Sequence, residues 1–186
     1  EQARRRPCSA RRTRGRANPT RREREPRMRI ALNALQVRAA KSGVGHYIDG
    51  LIDGLLEHLG DRDELLVYVT ARNEANYRRG DPRVRTIRFG HGARRALRLI
   101  HEWIFLPGRI DRDAIDVFHG PANFLPRRVA APAAVTIHDM SYWVHPWRCP
   151  PVRRAYWKRM TAHTARRAQA IIAVSNAAKA DIVRFL

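Results

Sequence analysis

The sequence predicts an α/β domain built on an open, mostly parallel sheet with helices on both faces. Three observations lead there. The 186 residues suffice for one sizeable core and are few for two. With 44% hydrophobic and 29% charged residues the composition is globular, which excludes wholesale disorder and collagen-like or disulfide-stapled classes. Short apolar runs rich in β-formers alternate with amphipathic helical segments, the pattern of a parallel sheet covered by helices.

Residues 28–35 open the fold as a strand, and Met28 is a natural translation start. A polar loop follows, ending in Ser42-Gly43-Val44-Gly45. Val44, Ile48, Leu51, Ile52, Leu55, Leu56 and Leu59 then recur at helical spacing until Gly60-Asp61 stops them. Residues 65–70, a short apolar run rich in β-formers, read as a strand, and 84–89 alternate as a flank or edge strand would. Residues 94–106 form a helix with a thick apolar face (Leu97, Ile100, Trp103, Ile104), ended by Pro107-Gly108. Strands follow at 115–119 and 133–138. A long basic helix spans 153–168, a buried strand spans 170–174 and delivers Ser175 at its end, and a last helix starts at Asn176. No repeat of solenoid period is present.

The formal charge of +20 is unevenly placed. Residues 1–27 hold eleven Arg against three Glu and almost nothing apolar, so they are expected to be a disordered tail, with the domain occupying 28–186. Only Lys41, Lys158 and Lys179 are lysines; so strong an Arg bias is weak support for phosphate binding, which uses either residue, and no specific nucleic-acid partner is expected. Cys8 and Cys149 make neither a disulfide framework nor a cysteine zinc site, which fits a reducing compartment. No run approaches the roughly 18 apolar residues of a spanning helix. The expected location is the cytoplasm, with peripheral attachment to the inner face of the membrane left open.

In an open parallel sheet, ligands bind beyond the carboxyl ends of the strands. The residues there are Gly43 and Gly45 with His46 just beyond, His119 with Gly120-Pro121, His138 with Asp139, and Ser175 with Asn176. The glycines permit positive φ and close approach before a helix whose free N–H groups suit a phosphate or sugar hydroxyl. The loop is not the dinucleotide fingerprint, and a plain turn and helix start is an equal reading. His138 is placed to donate a hydrogen bond or carry a proton near neutral pH, although a lone histidine is more often structural; the same holds for His119. Adjacent His138 and Asp139 diverge on an extended chain, so no metal site is expected. Ser175 reads first as a helix N-cap, and no G-x-S-x-G elbow surrounds it.

Four motifs in order carry a resemblance: residues 42–47 (SGVGHY) after the first strand, 117–121 (VFHGP), 135–140 (VTIHDM) with Pro146 downstream, and 170–182 (AIIAVSNAAKADI). The chain from Met28 resembles the N-terminal domain of a family 4 glycosyltransferase of the GT-B fold, whose two halves are Rossmann-like. The resemblance implies a retaining enzyme moving a hexosyl group, of mannosyl or rhamnosyl type, from a nucleotide sugar such as a GDP- or UDP-sugar to a glycan or lipid-linked acceptor, with no separate cofactor. It places Gly43 and Gly45 beside the donor phosphates and sugar, and His138 near the reacting carbon. Ser42 departs from the pattern, since such loops often carry a further glycine. The family's second domain, with its paired glutamates and phosphate clamp, is missing, and the chain runs out inside a helix, so the fragment alone is expected to be nearly inactive. Two other classes stay open: a basic membrane-surface module, since Arg94, Arg95 and Arg98 adjoin apolar residues, and a nucleic-acid binder using the tail and the 153–167 helix.

Overall fold

The structure is a computed structural model and describes residues 27–40, 42–90 and 95–186, the side chains of 95–97 aside. Its elements run β1 (Arg29–Asn33), α1 (Gly43–Leu56), β2 (Glu64–Val69), β3 (Val84–Arg88), α2 (Arg95–Asp113), β4 (Val117–Gly120), β5 (Ala133–Ile137), α3 (Ser141–Val144), α4 (Pro151–Arg167), β6 (Ala170–Ala173) and α5 (Asn176–Phe185). All strand pairings are parallel, in the order β3-β2-β1-β4-β5-β6. The expected Rossmann-like α/β sheet is the architecture found.

Alternation along each strand creates two cores. Ala31, Leu66, Tyr68, Phe118 and Val135 point to one face, where Leu106 and Ile110 of α2 and Ile182 of α5 cover them. Leu32, Leu65, Val67 and Val69 point to the other, against Ile48 and Ile52 of α1. The reversal of strand order between β1 and β4 opens a crevice at their carboxyl ends.

The expected tail lies outside the described residues except for Arg27, which is exposed and ion-paired with Glu64. α1 ends at Leu56, one turn before the predicted glycine stop. α2 does not end at Pro107 but passes through it to Asp113. A helical proline deprives the carbonyl four residues earlier of its partner; here that carbonyl, of Trp103, accepts from the Arg127 N–H at 3.4 Å, so a neighbouring loop supplies part of what the proline removes.

β6 overturns the expectation of a buried strand. Ile171 and Ile172 are each 39% exposed although they point to opposite faces, and Val174 is exposed as well. The apolar run reports strand propensity, but β6 pairs only with β5 and forms the sheet edge among the described strands. Ser175 caps α5, its Oγ accepting from the Ala178 N–H at 3.1 Å. Ser175→Ala is expected to cost about 1 kcal/mol, the usual worth of an N-cap, read as a lower urea midpoint; an unchanged midpoint would show the cap to be immaterial.

Candidate functional site

The crevice is built from three strand ends. Gln36, Val37, Ser42 and Val44 from the β1–α1 connection face Ala122 and Asn123 after β4 and His138 and Asp139 after β5, with Tyr142 and Trp157 closing one side, around an open cleft of about 220 Å³. Two further depressions adjoin it. One shares Asn123, Asp139 and Tyr142 with the cleft, and the other shares His138 and Asp139 and reaches Ser175.

His138 is held in the cleft by contacts to its ring and to its backbone. Its Nε2–H donates to the Pro121 carbonyl at 2.7 Å, because a carbonyl oxygen can only accept, so the neutral ring carries its free lone pair on Nδ1. Its backbone N–H donates to Asn123 Oδ1 at 2.8 Å. Tyr47 of α1 stands edge-on to the imidazole, centroids 5.2 Å apart. The Tyr47 hydroxyl in turn shares Thr136 Oγ1 (2.9 Å) with His119 Nε2 (2.8 Å).

His119 is therefore not on the rim. It is 6% exposed, on the face of the sheet that packs against α1, and touches Thr136 under the cleft floor. Burial pushes its pKa down to about 4 and keeps the ring neutral. Its place follows from register: it lies opposite Leu32, whose side chain is fully buried beneath α1. Its contribution is to hold Thr136 and through it Tyr47.

The glycines also differ from expectation. Gly43 and Gly45 lie in the first turn of α1, not in a left-handed loop; among the described glycines only Gly90 has positive φ. Gly45 is buried, while Gly43 is exposed with nothing within 4 Å of a would-be Cβ, so the approachable backbone is at Gly43. Ser42, at the N-cap, makes no side-chain cap, and the first turn carries no acid, leaving that helix end open to an anion. His46 is exposed on α1 and is not among the residues lining the cleft. Asp139 is exposed at the cleft edge, its Oδ1 accepting from the Ser141 N–H.

Two contributors escaped the sequence reading. Asn123 has φ 56°, a left-handed conformation asparagine tolerates better than most residues, and this turns its side chain back onto the His138 backbone. The signal was available as an asparagine two residues beyond Gly-Pro. Glu102 of α2 is 1% exposed beneath the cleft, its Oε2 accepting from the Gln36 side-chain amide at 3.4 Å. Arg98 Nε approaches its Oε1 at 3.3 Å without hydrogen-bond alignment. Burial pushes the Glu102 pKa up to about 7, with Arg98, Gln36 and Asn33 opposing it. Glu102 is the lone acid between residues 91 and 110.

Among the described residues no three His, Cys, Asp or Glu side chains come together as a metal site. No helix there is long and apolar enough to cross a membrane. Compared with protein families, residues 41–186 match the model described as Glycosyltransferase Family 4, more than three quarters of the chain. No curated protein matches it.

Proposed function

The chain belongs to glycosyltransferase family 4, and on that premise we propose that its cleft holds the reacting sugar during transfer of a hexosyl group from a nucleotide-sugar donor to an acceptor hydroxyl. The observation that carries this is His138, fixed by Pro121, Asn123 and Tyr47 at the end of β5 and facing the first turn of α1 across one cleft.

In the transfer the acceptor oxygen bonds to the anomeric carbon as the bond from that carbon to the diphosphate oxygen breaks; negative charge builds on the departing diphosphate, which takes up the acceptor proton. With Nε2–H committed to Pro121, His138 offers Nδ1 to a sugar hydroxyl as a hydrogen-bond acceptor. The open N-terminus of α1 at Ser42-Gly43 favours the phosphate charge by its free N–H groups. These are two modest contributions. From two modest contributions little turnover by this chain alone is proposed; the family resemblance adds retention of anomeric configuration and a mannosyl- or rhamnosyl-type donor to the proposal.

The test is transfer from UDP- and GDP-hexoses to glycan and lipid-linked acceptors, by the chain alone and joined to the donor-binding half of a family member, with product anomers read by NMR. His138→Ala in the joined protein is expected to lower kcat/KM by about 100-fold, the low end for a positioned polar group at the reacting centre. Full activity in that variant would remove the role given to His138, and failure of every donor would remove the reaction class.

A second reading concerns the acceptor. Ile100, Ile104 and Phe105 of α2 are exposed together, Phe105 at 57%, as on a helix meeting a lipid surface. Of the three arginines of this segment, Arg94 and the Arg95 side chain lie outside the described residues, and Arg98 turns inward to Glu102. Peripheral docking on the anionic cytoplasmic leaflet would present a lipid-linked acceptor. Flotation with liposomes of phosphatidylglycerol against phosphatidylcholine checks it, and equal recovery with both would dismiss the anionic surface.

A further inference from the structure

The depression beside the cleft is lined by His145, Arg148, Cys149 and Arg153 together with Asn123, Asp139, Ser141 and Tyr142, and its volume is about 280 Å³. Several guanidinium groups in this protein sit against carboxylates: Arg78 and Arg88 on Glu74, Arg79 on Asp49 and Asp53, Arg83 on Asp81, Arg109 on Asp113, Arg128 on Asp111. Arg148 and Arg153 do not, and they line one concavity together. Among the described residues neither has a carboxylate within ion-pair distance, and Arg153 Nε instead meets the Cys149 thiol at 3.0 Å. His145 adds a buried Nδ1 with no hydrogen-bond partner. The one acid on the wall, Asp139, is at the border shared with the cleft, and its Oδ1 already accepts from Ser141.

Two uncompensated guanidinium groups and an unpartnered imidazole nitrogen around one concavity leave a net positive site with donors to spare. Guanidinium forks match phosphate oxygens, and charge-assisted bonds to them are stronger than neutral ones. The concavity adjoins the sugar cleft through Asn123, Asp139 and Tyr142, so a group bound there is covalently within reach of a sugar in the cleft. We propose that the His145-Arg148-Arg153 depression binds a phosphate carried by the acceptor, making the acceptor a phosphorylated saccharide or polyol. This rests on the reading of the His138 cleft as the sugar site.

The test follows backbone amide signals of the chain by NMR during titration with mannose, mannose 6-phosphate, inorganic phosphate and UDP. Mannose is expected to move residues 36–44 and 138 only; both phosphate compounds are expected to move 145–153. In the Arg148→Ala/Arg153→Ala double variant the Kd for mannose 6-phosphate should rise about tenfold or more, as expected for losing two charge-assisted contacts. The charge-matched double variant Arg112→Ala/Arg184→Ala, on exposed positions of α2 and α5, should change it less than about twofold. The Arg148→Lys/Arg153→Lys protein, which keeps charge and packing but not the planar fork, should fall between.

Equal losses in the two alanine doubles would mean diffuse attraction to a basic chain and overturn the site. Tighter binding of UDP than of mannose 6-phosphate at 145–153 would assign the phosphate to the donor and overturn the acceptor. If mannose moves 36–44 while phosphate leaves 145–153 unmoved, the phosphate site fails and the sugar cleft stands. If mannose moves nothing in the cleft, it is the underlying reading that fails.

Discussion

Gly120→Ala is expected to cost about 3 kcal/mol or more, the upper end for forcing atoms into a packed interior. A Cβ at Gly120 would lie 2.2 Å from the Phe124 carbonyl oxygen, 2.9 Å from Leu125 Cδ2 and 3.2 Å from the Phe124 carbonyl carbon. The Leu125 methyl can rotate away, but the Phe124 backbone cannot easily retreat. The Asn123 N–H donates to the Thr136 carbonyl, the Leu125 N–H donates to Thr164 Oγ1, and the Phe124 ring packs on Trp157 and Met160 of α4. Gly120 is itself held in register with Val135 of β5. The alanine must therefore displace a connection pinned at both ends. For a chain of this size the loss corresponds to a fall of roughly 6–12 °C in Tm. Gly43→Ala, at a helical position with open space around it, should be neutral or gain up to about 1 kcal/mol. Melting curves of the two variants within 2 °C of each other would contradict the steric account. Because the 121–123 segment carries the Pro121 carbonyl and the Asn123 amide that orient His138, Gly120→Ala is expected to disturb the site along with the fold.

Glu102 and His119 are expected to impose opposite pH dependences of about 3 kcal/mol each that nearly cancel in the wild-type protein. Glu102 loses its proton near 4.5 when unfolded and at about 7 when folded, because burial disfavours the carboxylate. Between those values the folded state holds a proton that the unfolded state has released, so stability falls as pH rises and the loss is complete above 7. His119 gains its proton near 6.5 when unfolded but at about 4 when folded, again through burial. Its contribution is present above 6.5 and is lost as pH falls toward 4. Each shift of about 2.5 pH units corresponds to about 3 kcal/mol. Relative to wild type, His119→Gln should therefore become more stable on acidification from pH 7.5 to 5, and Glu102→Gln less stable. Urea midpoints at the two pH values check both. If neither variant's pH dependence differs from wild type, the two groups are solvated and the buried environment assigned to them is wrong.

Much of the fold was readable along the chain. The Val44 to Leu56 spacing announced α1, and the apolar runs at 65–70 and 133–138 announced strands, because local period and β-propensity report the type of an element. Pro107 misled, since a proline ends a helix only when nothing relieves the carbonyl it strands; the Arg127 N–H, remote in sequence, does so. The 170–174 run misled similarly: it has the composition of a buried strand, whereas burial depends on what packs above and below, and there both isoleucines stay partly exposed.

The candidate site divides along the same line. That His138 and the Ser42-Gly43 turn would meet followed from strand ends gathering at one edge of a parallel sheet, and the cleft places Ser42 opposite His138. That His119 would sink beneath the floor was decided by its register opposite Leu32 and by the Tyr47 and Thr136 hydroxyls that meet there. The sequence by itself determined the elements, their order and the strand ends at which chemistry gathers, because those depend on local period and propensity. Only the tertiary structure decided which of those residues face the cleft, which brace it, and which charges are left unpaired, because solvation and pairing depend on neighbours brought from elsewhere in the chain.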